Sequence, residues 1–217
     1  MCSIYGSKNR SMFDVLHDAT VDRGKFVFSY LFVTDNKQNA ANQLQSHPSM
    51  DTIKSPKNAI FYLGHNQAPT SNQRAFNKNT CHPFRASNWL VAHNGVLTNH
   101  LKLLKKFKLK PNTEVDSNAI PILIDYFNQT CNEVDAIIKT LSILEGTFAV
   151  WIYNEDTNNV YIARQGSTLF GNIKTGSFCS IQSKTDWSEL SEGILYQITD
   201  KITEVGKFTN NTPFFTL

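Results

Sequence analysis

The chain has 217 residues, with 21 Lys and Arg against 18 Asp and Glu for a net charge of +3, and is 41% hydrophobic and 18% charged. A chain of this length buries about 70% of its unfolded surface, so it needs neither disulfide nor metal to fold. Its composition excludes the disordered and collagen-like classes. The positive surplus is too small and too evenly spread to argue for nucleic acid as the main partner. No apolar run reaches the roughly 18 residues of a membrane helix, and the start Met-Cys-Ser-Ile-Tyr-Gly lacks the pattern of a signal peptide. The expectation is a cytoplasmic protein with no membrane partner. Asparagine makes up about a tenth of the residues, twice a usual share. That composition points to an AT-rich genome, and to a host cytoplasm if the chain is phage-encoded.

Phe26 to Val33 and Ala59 to Leu63 read as strands, separated by a polar surface excursion from Asn36 to Asn58. A third strand, Trp89 to His93, runs into Asn94-Gly95, a turn signal because both residues tolerate positive φ. Helical period then takes over. A first helix carries Leu101, Leu104 and Phe107 with Thr98 or Asn99 as its cap, and its lysines 102, 105, 106, 108 and 110 form a solvated face. A second runs from Ser117 to Asn128, with Pro121 in its first turn or kinking it. A third opens at Asn132, with Asp135 completing a variant capping box, and buries Val134, Ile137, Ile138 and Leu141. A hairpin follows, Thr147 to Tyr153 and Asn159 to Arg164, then short strands near Ser177 to Gln182, Ile194 to Ile198 and Ile202 to Val205. Strands, helices and strands again indicate a layered α+β fold rather than alternating βαβ units.

Cysteines at 2, 81, 131 and 179 form no CxxC pair, which argues against structural zinc. Cys81, Cys131 and Cys179 are expected to be structural, the last two as buried apolar residues. The histidines at 65, 82, 93 and 100 have no metal-ligand spacing, so neither metal nor cofactor is expected. Cys2 is different. Once Met1 is removed its thiol carries its own general base, the free α-amine with an ordinary pKa of about 7.7–8.0.

Further segments give Cys2 a context. Asp22-Arg23-Gly24, Gly64-His65-Asn66-Gln67-Ala68-Pro69-Thr70-Ser71, Cys81-His82-Pro83-Phe84, Ala92-His93-Asn94-Gly95-Val96 and Glu114-Val115-Asp116-Ser117 follow it in order, and Leu144 to Val150 and Ala163 to Ser167 come later. In order and approximate spacing the chain resembles the class II, N-terminal-nucleophile glutamine amidotransferase domain, as in the glutaminase half of glutamine–fructose-6-phosphate aminotransferase. The resemblance implies a four-layer αββα sandwich of two mostly antiparallel sheets, spanning residues 1–217 as one glutaminase-type domain. It implies hydrolysis of the glutamine side-chain amide through a Cys2 thioester. Asn94 and Gly95 would hold the oxyanion, Asp116 the substrate ammonium (or else simply cap its helix), and Thr70 the glutamine, with Arg23 beside the nucleophile.

Two positions depart from the family pattern. Gln67 stands where an Arg clamps the substrate carboxylate, and Ser71 where a His is common. A neutral amide does not replace a guanidinium, so glutamine is expected to bind weakly, with Gln67→Arg lowering KM unless Arg74 reaches the carboxylate instead. Few residues follow Lys207, so no acceptor domain is expected on this chain, and released ammonia would pass to an acceptor handled by a separate synthase-type protein. Two alternatives stay open: another N-terminal-nucleophile amide hydrolase, which Gln67 and Ser71 favour, and a catalytically degenerate binding module.

Overall fold

The computed structural model describes residues 2–37, 39, 41–68, 77 and 79–210. In chain order the elements are β1 (Ser3–Ser7), α1 (Arg10–Thr20), β2 (Val27–Thr34), β3 (Ala41–Leu44), β4 (Ala59–Gln67), β5 (Phe84–Ala86), β6 (Trp89–Leu97), α2 (His100–Lys106), α3 (Ala119–Asn128) and α4 (Glu133–Ile143). The hairpin β7 (Gly146–Asn154) and β8 (Asn159–Gln165) comes next, followed by β9 (Phe170–Asn172), β10 (Ser177–Cys179), β11 (Ser188–Glu189), β12 (Ile194–Ile198) and β13 (Ile202–Lys207). One sheet has the order β11-β9-β10-β1-β4-β2-β3, the other β13-β12-β8-β7-β6-β5. Neighbouring strands in both are antiparallel.

Three apolar layers hold this stack together, and strand alternation explains how. Successive residues face opposite sides of a sheet. Ile4, Leu31 and Leu63 therefore meet Leu90, Ala92, Ala149 and Trp151 between the sheets. Tyr5, Phe28 and Tyr62, an odd number of positions away, pack with Phe13 and Leu16 of α1. Val91, Phe148, Val150 and Ile152 pack against Ile120, Leu123, Ile124, Ile137 and Leu141 of α3 and α4. The result is the expected αββα sandwich, with α1 on one outer face and α2–α4 on the other.

Several sequence expectations change in detail. Asn94 and Gly95 do not form a turn: β6 continues to Leu97 and pairs with β7 throughout, Asn94 opposite Ala149 and Gly95 opposite Phe148. Nine paired positions outweigh a local dipeptide preference. The polar excursion after β2 contains the edge strand β3, and it inserts Met50 and Ile53 into the core under α1. Helix α1 lies outside the elements expected from sequence. Asn9 caps it, its side chain accepting from the Met12 N–H at 2.9 Å, as a first-turn donor requires. In α2, Leu101 is exposed, and Leu103 and Leu104 face the core. Asn99 precedes α2 but directs its side chain to Ile143 O and Glu145 N instead. Asn132 caps α4 through Asp135 N at 2.9 Å as expected. Cys81 and Cys179 are buried, while Cys131 is half-buried. No helix among the described residues is long and apolar enough to cross a membrane.

Candidate active site

Cys2 lies one residue ahead of β1, whose position at the centre of its sheet is fixed from both sides. On one side β1 pairs with β4, Ser3 opposite Asn66. On the other, Ser180 clamps Ile4: the Ile4 N–H donates to Ser180 Oγ at 2.8 Å, and the Ser180 N–H donates to Ile4 O at 2.9 Å. The carbonyl of Ser180 in turn accepts from Thr168 Oγ1 at 2.7 Å and Arg23 Nη1 at 3.3 Å. The Cys2 thiol points toward the carbonyl of Ala68 at 3.6 Å.

Arg23 ends a short 3-10 turn, Val21–Arg23, that follows α1. The next residue must be glycine for this turn to approach β4, because a Cβ on Gly24 would lie 2.3 Å from the Asn66 carbonyl. Asn94 and Gly95 come from β6 on the other sheet. Gly95 has φ +151, and a Cβ there would stand 2.0 Å from Thr147 O. Only glycine fits such a position.

These residues share a cleft of about 590 Å³, lined by Cys2, Arg23, Ala68, Asn94, Gly95 and Val96 with Thr147 and Gly166–Thr168. Thr147 and the Gly166–Thr168 turn are additions to the residues singled out in the sequence as site candidates. Thr147, Gly166 and Ser167 lie in the segments 144–150 and 163–167 quoted above, which was the available signal, and Thr168 follows directly after the second. The turn is held by Glu192, which accepts from the Gly166 N–H at 3.0 Å and from Gln165 Nε2 at 3.1 Å.

The remaining candidates are distributed differently. Asp116 opens a 3-10 turn ahead of α3 and does not cap it with its side chain. Its carboxylate accepts from the Leu97 N–H at 2.7 Å, at the end of β6, and Ser117 Oγ lies 3.3 Å from its other oxygen. Gln67 is completely buried and outside the cleft lining. Its amide nitrogen donates to Thr80 O at 3.1 Å, and its oxygen faces His82 N and Nδ1, both at 3.3 Å. Thr70, Ser71 and Arg74 lie outside the described residues.

Three histidines sit behind the cleft. His65 Nε2 meets His93 O at 3.3 Å, linking β4 to β6 across the sheets, and its ring lies 4.0 Å from that of His82. Burial pushes the His65 pKa down to about 3. His93 is lowered too, by burial, against the opposing pull of Asp116. Burial raises the Cys179 thiol to about 12, leaving it protonated near neutral pH. Among the described residues, no three His, Cys, Asp or Glu side chains converge as a metal-binding group.

The family model for the glutamine amidotransferase domain matches residues 76–179, a span containing Asn94, Gly95 and Asp116. Over 157 residues the chain is 27% identical to 7-cyano-7-deazaguanine synthase 2 of Sulfurisphaera tokodaii, covering 69% of this chain and 34% of that protein. Over 145 residues it is 29% identical to the isomerizing glutamine–fructose-6-phosphate aminotransferase of Clostridium acetobutylicum, covering 64% of this chain and 22% of that one. The match thus spans 34% and 22% of these curated relatives. The B. subtilis glutamine phosphoribosylpyrophosphate amidotransferase structure superposes with TM-score 0.75 at 19% identity, covering 97% of this chain and 50% of that chain. A glutamine aminotransferase class-II domain protein from Silicibacter pomeroyi does so with TM-score 0.60 at 15% identity, covering 96% and 99%. Identities this low speak for the fold alone.

Proposed function

We propose, from the match of residues 76–179 to the glutamine amidotransferase domain, that the chain is a class II glutamine amidotransferase that hydrolyses the side-chain amide of glutamine and passes the ammonia to an acceptor bound by another domain or protein. The observation that carries this reading is the convergence of Cys2, Asn94 and Gly95 on one cleft from two different sheets.

With Cys2 as the first residue of the processed chain, its α-amine takes the thiol proton, directly or through one water, and Sγ attacks the amide carbon. Negative charge then develops on the former carbonyl oxygen. The Asn94 side-chain amide and the Gly95 N–H are the donors suited to it. Collapse of the tetrahedral adduct forms the glutamyl thioester, and the α-ammonium returns its proton to the departing nitrogen. The amine then activates a water, which releases glutamate and frees Cys2. Arg23 contributes positive charge at the cleft wall, suited to the carboxylate of an amino-acid substrate. One relative is named a glutamine–fructose-6-phosphate aminotransferase, a name that states amino-group transfer, and this supports a transfer role over simple glutamine breakdown.

The burial of Gln67 in the Thr80–His82 contacts favours keeping a second reading, hydrolysis of a different amide by the same nucleophile. Comparing ammonia release from glutamine with turnover of acyl- and γ-glutamyl-amides separates the two. Release from glutamine that requires Cys2 supports the first reading, and turnover of the other amides alone supports the second. No turnover of either, with Cys2 unreactive, leaves a binding module.

A further inference from the structure

The strand segment Asn94-Gly95-Val96 is anchored at both ends to consecutive residues of the turn before α3. At its far end the Leu97 N–H donates to Asp116 Oδ2 at 2.7 Å. At its near end His93, only 2% exposed, places Nδ1 2.8 Å from Ser117 Oγ. The same ring reaches β7 with its other nitrogen, Nε2 standing 3.1 Å from Thr147 O. A carbonyl only accepts, so Nε2 carries the proton. Burial favours the neutral ring, which leaves Nδ1 as an acceptor at 2.8 Å for the Ser117 hydroxyl proton, shared with the longer 3.3 Å contact to Asp116 Oδ1.

The ring also lies directly beneath Gly95. A Cβ on that residue would come within 2.7 Å of His93 Nε2 and 2.0 Å of Thr147 O. The imidazole and the carbonyl it holds therefore occupy the space that Gly95 leaves empty. The Gly95 backbone at φ +151 is thus packed against a group whose two nitrogens are both hydrogen-bonded.

We propose that His93 is a positioning residue for amide hydrolysis: bonded to Thr147 and Ser117, it braces Gly95 from behind and so sets the direction of the oxyanion donor. The inference rests on the glutaminase reading above and adds a residue that does not itself touch the substrate. A brace of this kind acts where charge develops, so its loss appears in kcat and leaves ground-state binding alone.

The test compares wild type, His93→Leu, His93→Gln and Ser117→Ala, reading steady-state ammonia release from glutamine together with the Gly95 amide resonance in 1H–15N spectra. In His93→Leu, kcat should fall about tenfold or more with KM within a factor of about three, and the Gly95 resonance should move. His93→Gln keeps a donor for Thr147 O and should recover part of the rate and of the shift. Ser117→Ala should lower kcat several-fold, and it carries the test together with His93→Gln should the leucine variant not fold. Folded variants with kcat within a factor of about three and an unmoved Gly95 resonance overturn the proposal. Rate loss without recovery in His93→Gln assigns the residue a merely structural role and overturns it too. Wild type that releases no more ammonia than Cys2→Ala defeats the glutaminase reading instead, and the positioning role falls with it.

Discussion

Cys2 and Asn94 face one cleft from opposite sheets, Cys2 at the head of β1 and Asn94 within β6. Neither β1 nor β6 alone makes the proposed reaction possible. The nucleophile and the group suited to the oxyanion meet only because the sheets pack face to face.

The reactive thiol should be Cys2 alone. Cys81 and Cys179 are buried, and Cys179 is held protonated, whereas a chain-terminal Cys2 carries its own base. Intact mass spectrometry after exposure to 6-diazo-5-oxo-norleucine should show a protein lacking Met1 with a single adduct, absent in Cys2→Ala. A retained Met1, or labelling at Cys81, Cys131 or Cys179, would contradict the assignment.

Asn94 supplies side-chain polarity to the cleft from a strand otherwise held by its pairing with β7. Asn94→Ala should therefore leave the melting temperature nearly unchanged while kcat for glutamine falls by about 10²–10³, the effect of losing one oxyanion donor. KM should change far less. A kcat within a factor of about three would mean that Asn94 serves the strand only.

Gln67 leads to an expectation opposite to the one drawn from the sequence. Its side chain is fully buried and occupied with Thr80 and His82. An Arg there brings a charge into the interior and, being donor-only, removes the acceptor that Gln67 Oε1 gives the His82 N–H. Gln67→Arg should cost at least ~2 kcal/mol, a fall of roughly 4–8 °C in melting temperature for a chain of this size, without lowering KM. Tighter glutamine binding at unchanged stability would restore the carboxylate-clamp role.

The buried histidines set the response to acid. His65 has a folded pKa of about 3 against an ordinary 6.5, so between these values the unfolded chain binds a proton that the folded one does not. The stabilising effect of its neutral form is complete above pH 6.5 and is lost as pH falls toward 3, by up to ~1.4 kcal/mol per pH unit. His93 and His17 are lowered by burial as well and act in the same direction. Urea unfolding midpoints should fall between pH 7 and pH 5 in wild type, and the slope should be smaller in His65→Gln. An equal slope in both would exclude His65 as a source.

Much of this was legible in the chain because period and residue type coincided. The hairpin β7–β8, strand β12 and the cap at Asn132 follow directly from alternation and capping chemistry. Helix α1 escaped notice because its inward face mixes Phe13 and Leu16 with His17 and Thr20, so no apolar stripe stands out. At Asn94-Gly95 the local turn preference was genuine, and tertiary pairing overrode it. The placement of Gln67 could have been read from period two, since Phe61, Leu63, His65 and Gln67 share the inward face of β4. Thr168 was harder to identify, because it lies beyond the segments that carried a signal and no local chemistry marks it.

Near the cleft the two sheets are tied by His65 Nε2 to His93 O, and deeper in the core by Trp151 Nε1 to Gly64 O at 3.1 Å. At the periphery Arg164 of β8 reaches Glu189 of β11 at 2.6 Å, and between these ties the gap is filled by apolar side chains, among them Ile4, Leu63, Ala92 and Ala149. That filling acts as a shim whose thickness gauges the gap between thiol and oxyanion donor. A misplacement of ~1 Å at a reacting centre costs on the order of a hundredfold in rate. Residues that never meet a substrate are thereby held to tolerances that folding alone does not demand, and turnover would register a worn shim well before the melting curve did.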